Sequence, residues 1–240
     1  MKNGPASVSG MLRFKLRHYS GTRHETHVTR AASRCNPTRI QREKTEAILA
    51  AALEVFSTHG FRGATLDQIA EAAGLSKPNL FYYFASKDDV HRMLLERLLD
   101  TWLEPLRHLD PDGDPATEIG AYIRRKLEMA RDYPRESRLF AGEILRGAPH
   151  ISDLLGGPLK QLVDAQAGVI AAWADAGRIA RVDPHHLIVS IWAVTQHYAD
   201  FDAQLDAVLG PDRAARFADA ERFLTNLFAS GLTPTDRKQS

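Results

Sequence analysis

The spacing of apolar residues constrains the fold of this 240-residue chain more than any other feature. From Arg39 onward, apolar residues recur at steps of three and four. The first such segment contains Ile48, Leu49, Ala52, Leu53, Val55 and Phe56. That is the period of an amphipathic α-helix, and no comparable stretch alternates at every second residue as a half-buried strand does. The spacing therefore predicts an all-α fold, and a chain of this length can bury a sizeable core.

Helix start and stop signals near residue 70 predict two short helices in succession. Thr65, with Gln68 three residues later, has the spacing of a capping box, and Gly74 is a typical helix end. Ser76 is then placed to cap a second helix that begins at Lys77. Two short helices joined by a glycine-containing turn are typical of a helix-turn-helix.

The second of these helices begins with the unusual stretch SKPNLFYYF, residues 76–84. Its residues 77, 78, 79 and 82 are expected to be exposed, whereas Leu80, Phe81 and Phe84 are expected to turn toward the preceding helices. Lysine, asparagine and tyrosine can contact base edges or phosphates, and proline can lie against a thymine methyl group. The predicted DNA-contacting residues are Thr65, Lys77, Pro78, Asn79, Tyr82, Tyr83 and Lys87. The structural alternative is a capped helical hairpin whose tyrosines lie at a domain seam.

Charge is distributed unevenly along the chain. The net charge is +1, yet residues 1–38 hold seven basic side chains and one acidic one, so this arm carries +6 and the remainder −5. Residues 39–92 hold seven basic and seven acidic side chains. DNA binding is therefore expected to depend on specific contacts of individual side chains and not on the net charge of the domain. The arm is expected to add a salt-dependent contribution.

Beyond the helix-turn-helix, the same criteria predict further helices. They are expected at residues 87–109, 116–132 and 135–146, from the Gly156-Gly157-Pro158 interruption to 177, from Pro184 behind Asp183 to 209, and from Pro211 to about 231. Apolar faces on the last two suit a four-helix dimer interface, although an ordinary core gives the same pattern.

The block from Thr45 to Val90, TEAILAAALEVFSTHGFRGATLDQIAEAAGLSKPNLFYYFASKDDV, resembles the DNA-binding domain of TetR-family transcriptional regulators. This resemblance implies a homodimer on a pseudo-palindromic site in double-stranded DNA. It also implies an N-terminal three-helix helix-turn-helix DNA-binding domain and a larger C-terminal helical ligand-binding and dimerisation domain. The expected organisation is a disordered basic arm (1–38), the DNA-binding domain (39–86), the C-terminal domain (87–232) and a disordered tail (233–240).

Three further segments resemble a pyrimidine-responsive member of that family: residues 121–128 with 131–140, residues 183–188, and residues 191–201. This resemblance implies uracil or thymine as effector, which would shift the dimer away from its DNA-binding state through the helix that begins near Lys87. Such a ring needs hydrogen-bond donors, acceptors and flat walls, and Gln196 offers both a donor and an acceptor. The expected ligand-binding residues are Trp102, Tyr133, Phe140, Trp173, Trp192, Thr195 and Gln196.

Plain structural roles compete with these assignments. Trp173 and Trp192 fit an ordinary core equally well, and Gln196 could tie a helix to its dimer mate. Two other functions also stay open at this point. One is a TetR-type repressor that responds to a larger apolar ligand; the other is a ligand-free architectural DNA-binding protein whose pocket is filled by side chains.

Several functional classes find no support in the sequence. It has no GxSxG elbow, no phosphate-binding glycine loop and no HExxH motif, so we expect neither an enzyme nor a cofactor. His185 and His186 point in different directions on a helix and make a poor metal pair. Cys35 is the single cysteine, which fits a reducing compartment. No apolar run reaches membrane-spanning length and no signal-peptide core is present, so a cytoplasmic location is expected.

Overall fold

The computed structural model describes residues 38–234, and every regular element within that range is helical, which confirms the all-α prediction. In chain order the elements are α1 (Arg39–Gly63), α2 (Leu66–Ala72), α3 (Lys77–Tyr83), α4 (Lys87–Arg107), α5 (Pro115–Asp132), α6 (Pro134–Leu145), α7 (Ser152–Leu154), a π-helical turn (Leu155–Leu159), α8 (Lys160–Asp175), α9 (Pro184–Asp200), α10 (Asp202–Leu209) and α11 (Arg213–Leu232). Within residues 38–234, no helix is both long and apolar enough to cross a membrane.

The chain forms two compact units that divide between Val90 and His91, inside α4. In the N-terminal unit, α2 packs against both α1 and α3. Its buried apolar side chains include Ile48, Leu49, Ala52, Phe56, Ile69, Leu80, Phe84 and Val90. In the C-terminal unit, α5 packs against α9 and α11, and α9 also packs against α6 and α8. A single apolar cluster, drawn from these helices, forms the main core of that unit.

The start of α1 corrects the predicted end of the basic arm. Thr38 was assigned to the arm, but it is the N-cap of α1: its hydroxyl accepts from the Gln41 backbone N–H, and the Gln41 side chain accepts from the Thr38 backbone N–H. This is a second capping box besides the predicted one at Thr65. The remaining arm residues, 1–37, and residues 235–240 of the predicted tail lie outside the described residues.

The predicted helix from Pro184 to residue 209 is divided in the structure. Helix α9 ends at Asp200, and Phe201 separates it from α10. The bend brings Asp202 and Asp206 onto the buried guanidinium of Arg216 on α11, at 2.6 and 2.5 Å. A buried guanidinium requires such partners, so the local helical pattern yields to a tertiary ion-pair network.

The sequence predicted that the Gly156-Gly157-Pro158 segment interrupts the helical path, but the structure is helical through it. Residues Leu155–Leu159 form a π-helical turn that joins α7 to α8. A π turn shifts the hydrogen-bond register, which accommodates a proline that has no N–H to donate.

Candidate functional site

The turn between α2 and α3 has the backbone that a helix-turn-helix requires. Gly74 has φ +65°, and the Leu75 N–H donates to the Ala70 carbonyl at 2.9 Å, which closes the end of α2. Glycine takes this left-handed conformation without a Cβ penalty. Ser76 lies at the N-cap position of α3, as predicted, but its side chain makes no capping hydrogen bond.

The first turns of α3 present polar side chains on the outer surface of the N-terminal unit. Lys77, Pro78 and Asn79 are exposed, and Tyr82 is 71% exposed. Leu80 is fully buried, so it fixes the helix to the core while its neighbours point outward. The exposed set can reach base edges and phosphates of DNA.

Phe81 departs from the predicted burial, because 46% of it is exposed. Leu80 and Phe84 lie four residues apart on one face of the helix, and both are buried. At 100° per residue, Phe81 is rotated away from that face. Its ring therefore adds apolar surface to the outer part of the helix rather than to the core.

Three contacts involve the polar and aromatic side chains of α3. The Lys77 ammonium lies 2.8 Å from the Asp67 carboxylate on α2, and both side chains are exposed. The Gln41 amide donates to the Tyr82 hydroxyl at 3.1 Å, and the Tyr82 and Tyr83 rings meet edge to face at 5.0 Å. An exposed ion pair contributes only about 0–1 kcal/mol, so Lys77 can leave Asp67 for a nucleic-acid acceptor at little cost.

Two further predicted DNA-contacting residues, Thr65 and Lys87, also have partners inside the protein. The Thr65 hydroxyl accepts from the Gln68 backbone N–H at 3.2 Å, as the capping box predicted. The Lys87 ammonium was expected to contact a DNA phosphate, and in the structure it has partners within the protein. It donates to the carbonyls of Phe61 and Ala64 at 2.7 and 2.8 Å and lies 4.6 Å from the centre of the Phe61 ring. Lys87 thus closes the carbonyl end of α1.

The C-terminal unit contains a lysine in its interior. Lys126 on α5 is 5% exposed, and its ammonium lies 5.9 Å from the centre of the Trp102 ring. Burial lowers the pKa of Lys126 to about 8, and the nearby Asp200 carboxylate opposes that shift. A buried ammonium is costly unless it is paired or hydrogen-bonded, so this position favours a bound carbonyl or water.

Asp200, the last residue of α9, supplies the opposite charge. Its carboxylate accepts a 2.6 Å hydrogen bond from Ser137 on α6, which is 1% exposed. Burial raises the pKa of Asp200, against the hydrogen bond from Ser137 and the charge of Arg138. Arg138 in turn donates to the Ala199 carbonyl at 2.9 Å. A half-buried carboxylate therefore lies near a buried ammonium.

Gln196 lies on α9 between two contacts that join this helix to its neighbours. One turn earlier, the Trp192 indole donates to the Tyr122 hydroxyl on α5 at 2.6 Å. One turn later lies Asp200, bonded to Ser137. Residues 192, 196 and 200 follow each other at steps of four, so they share one side of α9. We call the set formed by Trp102, Tyr122, Lys126, Ser137, Trp192, Gln196 and Asp200 the interior polar cluster.

The structure divides the predicted ligand-binding residues into two groups. Trp102, Trp192 and Gln196 belong to the interior polar cluster. Phe140 is buried on α6, one turn after Ser137, and Tyr133 is half-buried at the start of that helix.

The other two predicted ligand-binding residues, Trp173 and Thr195, form hydrogen bonds within the protein. Trp173 is a core residue whose indole donates to the Pro111 carbonyl at 2.7 Å. The Thr195 hydroxyl donates to the Ile191 carbonyl of its own helix at 2.7 Å, so its proton is committed within α9. Both residues therefore have a structural role. For Trp173 this is the core role that the sequence analysis gave as the alternative.

Sequence reasoning missed Tyr122, Lys126, Ser137 and Asp200. A signal for Lys126 exists in the sequence, because it falls in the apolar stripe of α5 that also contains Ile119, Tyr122, Ile123, Leu127 and Ala130. A lysine at a core position of a helix pattern is a reason to expect a buried charge. No comparable local signal identifies Ser137 or Asp200.

The late helices of the C-terminal unit carry an exposed apolar face. Val189 on α9, Phe201 after it, and Phe223 and Leu227 on α11 are each at least half exposed. In contrast, five other apolar residues of the late helices are buried within their own unit, as the ordinary-core alternative predicts: Ile188, Ile191, Leu205, Phe217 and Leu224. Large exposed apolar surface of this kind marks a contact with another molecule.

Comparison with known proteins covers both units. Residues 48–92 match the family model described as bacterial regulatory proteins of the tetR family, and residues 95–235 match the model of the C-terminal region of YcdC-like proteins. The chain is 53% identical over 167 residues to the HTH-type transcriptional regulator RutR of Escherichia coli K12, a match that spans 70% of this chain and 79% of RutR.

Two more distant matches also carry the name of a transcriptional regulator. The HTH-type transcriptional regulator EthR of Mycolicibacterium smegmatis is 28% identical over 160 residues, which is 65% of this chain and 71% of EthR. The ketosteroid transcriptional regulator KstR2 of Mycobacterium tuberculosis superposes with a TM-score of 0.61 at 20% identity, covering 86% of this chain and 100% of the other. At that identity the structural match shows the shared fold. These proteins are transcriptional regulators, not enzymes.

Proposed function

Because this chain belongs to the TetR family of DNA-binding transcriptional regulators, we propose that it is a repressor whose operator affinity is lowered by uracil, thymine or a similar pyrimidine. The supporting observation is the interior polar cluster, which combines hydrogen-bonding groups of both kinds with indole rings. The resemblance of residues 121–128, 131–140, 183–188 and 191–201 to a pyrimidine-responsive regulator points to the same class of effector.

The donors and acceptors of the cluster suit a flat ring with alternating N–H and C=O groups. The Lys126 ammonium can donate to a ring carbonyl, and the Asp200 carboxylate can accept from a ring N–H. Gln196 can do both with a single side chain, while the indoles of Trp102 and Trp192 provide flat apolar walls. Bonds of this kind to charged groups contribute about 1.5–3 kcal/mol each in a buried site.

DNA recognition is assigned to the exposed side of α3. Asn79 and Lys77 are placed to contact base edges, Pro78 to contact a thymine methyl group, and Tyr82 and Tyr83 to contact bases or phosphates. TetR-family regulators are dimeric, and two such helices can enter successive major grooves of a pseudo-palindromic operator. This function locates the protein in the cytoplasm, with the DNA on which it acts.

A second copy of the chain is the proposed occupant of the exposed apolar face formed by Val189, Phe201, Phe223 and Leu227. Apolar residues on two helices of each protomer can interdigitate as a four-helix arrangement. Helix α4 begins at Lys87 in the N-terminal unit and carries Trp102 of the interior polar cluster. A change at Trp102 on effector binding can thus bias the population of DNA-binding dimers, provided the effector prefers one state.

The effector assignment is tested by titration calorimetry of the purified dimer with uracil and with thymine. We expect one saturable site per chain, weakened at least tenfold by Gln196→Ala and by Lys126→Met. Lys160→Met is the matched control, since Lys160 is an exposed lysine on α8 paired with Asp164. Absence of binding heat in folded wild-type protein would exclude pyrimidine as effector and leave the family assignment intact.

Operator binding requires a separate measurement. DNA selected from a random library by the wild-type protein supplies a probe, and added uracil should weaken binding to it. Binding that is tight but insensitive to sequence and to uracil would instead support an architectural role. Weakening by long apolar ligands, and not by uracil, would support a repressor with a different effector.

A further inference from the structure

Three potential metal ligands from distant parts of the sequence meet in the C-terminal unit, apart from the interior polar cluster. His91 lies on α4, Glu143 on α6, and His150 in the segment after α6. One ligand atom from each lies within 4.8 Å of the other two. His91 and Glu143 are fully buried, and the His150 side chain is 18% exposed.

We propose that His91, Glu143 and His150 bind one divalent transition-metal ion of the Zn²⁺ class. The His91 Nε2 atom lies 3.5 Å from Glu143 Oε2, and the His150 Nδ1 atom lies 3.0 and 3.2 Å from the two Glu143 oxygens. Tetrahedral Zn²⁺ with bonds of about 2.0–2.2 Å holds its ligand atoms about 3.3–3.6 Å apart. The side chains therefore already have nearly the spacing that the ion requires.

The donor set matches this class of ion. Two imidazoles and one carboxylate form a common zinc ligand set, in which water completes the fourth position. Ni²⁺, Co²⁺ and Fe²⁺ accept the same nitrogen and oxygen donors, whereas Mg²⁺ and Ca²⁺ prefer oxygen alone. The neutral imidazole is the form of histidine that ligates metal.

The backbone around His150 supports the arrangement. The His150 N–H donates to Glu143 Oε1 at 2.8 Å, and the Ala148 N–H donates to the Glu143 carbonyl at 3.0 Å. Ala148 has φ +54°, an unfavourable conformation for a residue with a Cβ. Strained backbone of this kind is often found at functional sites, and here it turns the chain so that His150 returns to Glu143.

Two arginines near the cluster must be accommodated by a bound cation. Arg146 reaches Glu143 Oε2 at 3.4 Å, but its side chain is 51% exposed and can turn into solvent. Arg92 is paired with Asp153 at 2.7 Å and with Glu96 at 3.0 Å, so its charge is already compensated. The ionised Glu143 carboxylate is the anion that remains for the metal.

A bound ion would clip the second turn of α4 to α6 and to the segment that follows α6. This role is independent of pyrimidine binding, because none of the three ligands belongs to the interior polar cluster. Metal binding can therefore fail while the proposed function stands, and the reverse also holds.

The first test is calorimetric titration of chelator-treated, full-length protein with Zn²⁺, accompanied by the visible spectrum of the Co²⁺ form. We expect one tight equivalent per chain and the intense absorption of four-coordinate Co²⁺. His91→Gln and Glu143→Gln should each weaken binding at least tenfold. His185→Gln should have no effect, because His185 is an exposed histidine that lies 3.0 Å from Asp164.

The N-terminal arm contains other potential ligands, namely His18, His24, His27 and Cys35. A full-length variant with these four replaced should still bind one equivalent; loss of all tight binding in it would overturn the assignment. Anomalous diffraction at the zinc edge from wild-type crystals grown with Zn²⁺ gives an answer that does not depend on the folding of any variant. A peak between the three side chains is expected, and its absence from a protein that binds zinc elsewhere refutes the site.

Discussion

The two units of this protein differ in where the polar side chains of their candidate sites lie. They are on the surface of the N-terminal unit and in the interior of the C-terminal unit. In the N-terminal unit, Lys77, Asn79 and Tyr82 are exposed on a helix that Leu80 anchors. In the C-terminal unit, Lys126 and Glu143 lie inside. These three exposed residues can therefore change with little effect on the fold. The two buried residues of the C-terminal unit contribute both to stability and to the proposed ligand binding.

The largest effect on stability is expected from an apolar residue of the N-terminal unit. Leu80→Ala removes a fully buried side chain that anchors α3, and should lower the free energy of unfolding by about 2–5 kcal/mol. Chemical denaturation measures this loss. The adjacent Phe81→Ala is the matched control, because Phe81 is 46% exposed and its removal should cost far less. Equal losses in the two variants would mean that α3 lies on the core differently.

The next effect concerns the buried lysine of the C-terminal unit. The folded-state pKa of Lys126, about 8, lies below its ordinary value of 10.5, so folding disfavours its charged form. Below pH 8 the lysine is charged in both states and the penalty is complete. As pH rises from about 8 to 10.5, the folded chain loses this proton before the unfolded chain does, and stability rises.

Comparison of wild-type protein with Lys126→Met isolates this contribution. The difference in the free energy of unfolding should change by up to about 3 kcal/mol across that pH range, with the variant favoured at low pH. Denaturation at a series of pH values measures it, and Lys160→Met corrects for the loss of an ordinary exposed lysine. Parallel pH curves for wild type and Lys126→Met would show that this ammonium is well solvated.

Substitution of Asn79 is expected to change the free energy of operator binding while leaving the free energy of unfolding nearly unchanged. Asn79→Ala removes a side chain placed to contact a base edge, and should weaken operator binding by about 1–3 kcal/mol, or roughly five- to 150-fold. Its stability should change by no more than about 0.5 kcal/mol, because the residue is exposed. Fluorescence anisotropy on selected DNA measures the affinity. Gln161→Ala, an exposed amide on α8, should leave it unchanged.

The same contrast explains how far the sequence predicted the structure. Helix-turn-helix spacing, the Thr65 capping box and the burial of Leu80 and Phe84 depend on residues close together in the chain, and all were predictable. Phe81 was placed wrongly because an aromatic residue was taken as core, without regard for its rotation around the helix.

The C-terminal unit was less predictable because its polar contacts join residues far apart in sequence. Ser137 and Asp200 are 63 residues apart, and Tyr122 and Trp192 are 70 apart. No periodicity encodes such pairs. The break at Phe201 has the same origin, since Arg216 draws Asp202 and Asp206 together from another helix. Tertiary ion pairs there override a continuous helical pattern.

Thr65 in the N-terminal unit combines a helix-capping role with a predicted DNA contact. Its substitution is expected to have the smallest effect of those described. Thr65→Ala removes the hydroxyl that caps α2 and should lower the free energy of unfolding by about 1 kcal/mol, whereas Thr65→Ser should retain the cap. If Thr65 acts only as a cap, operator affinity under fully folded conditions will be nearly equal in the two variants. A loss of more than tenfold in Thr65→Ala alone would place its hydroxyl on the DNA as well, and stability and recognition would then meet in one exposed side chain.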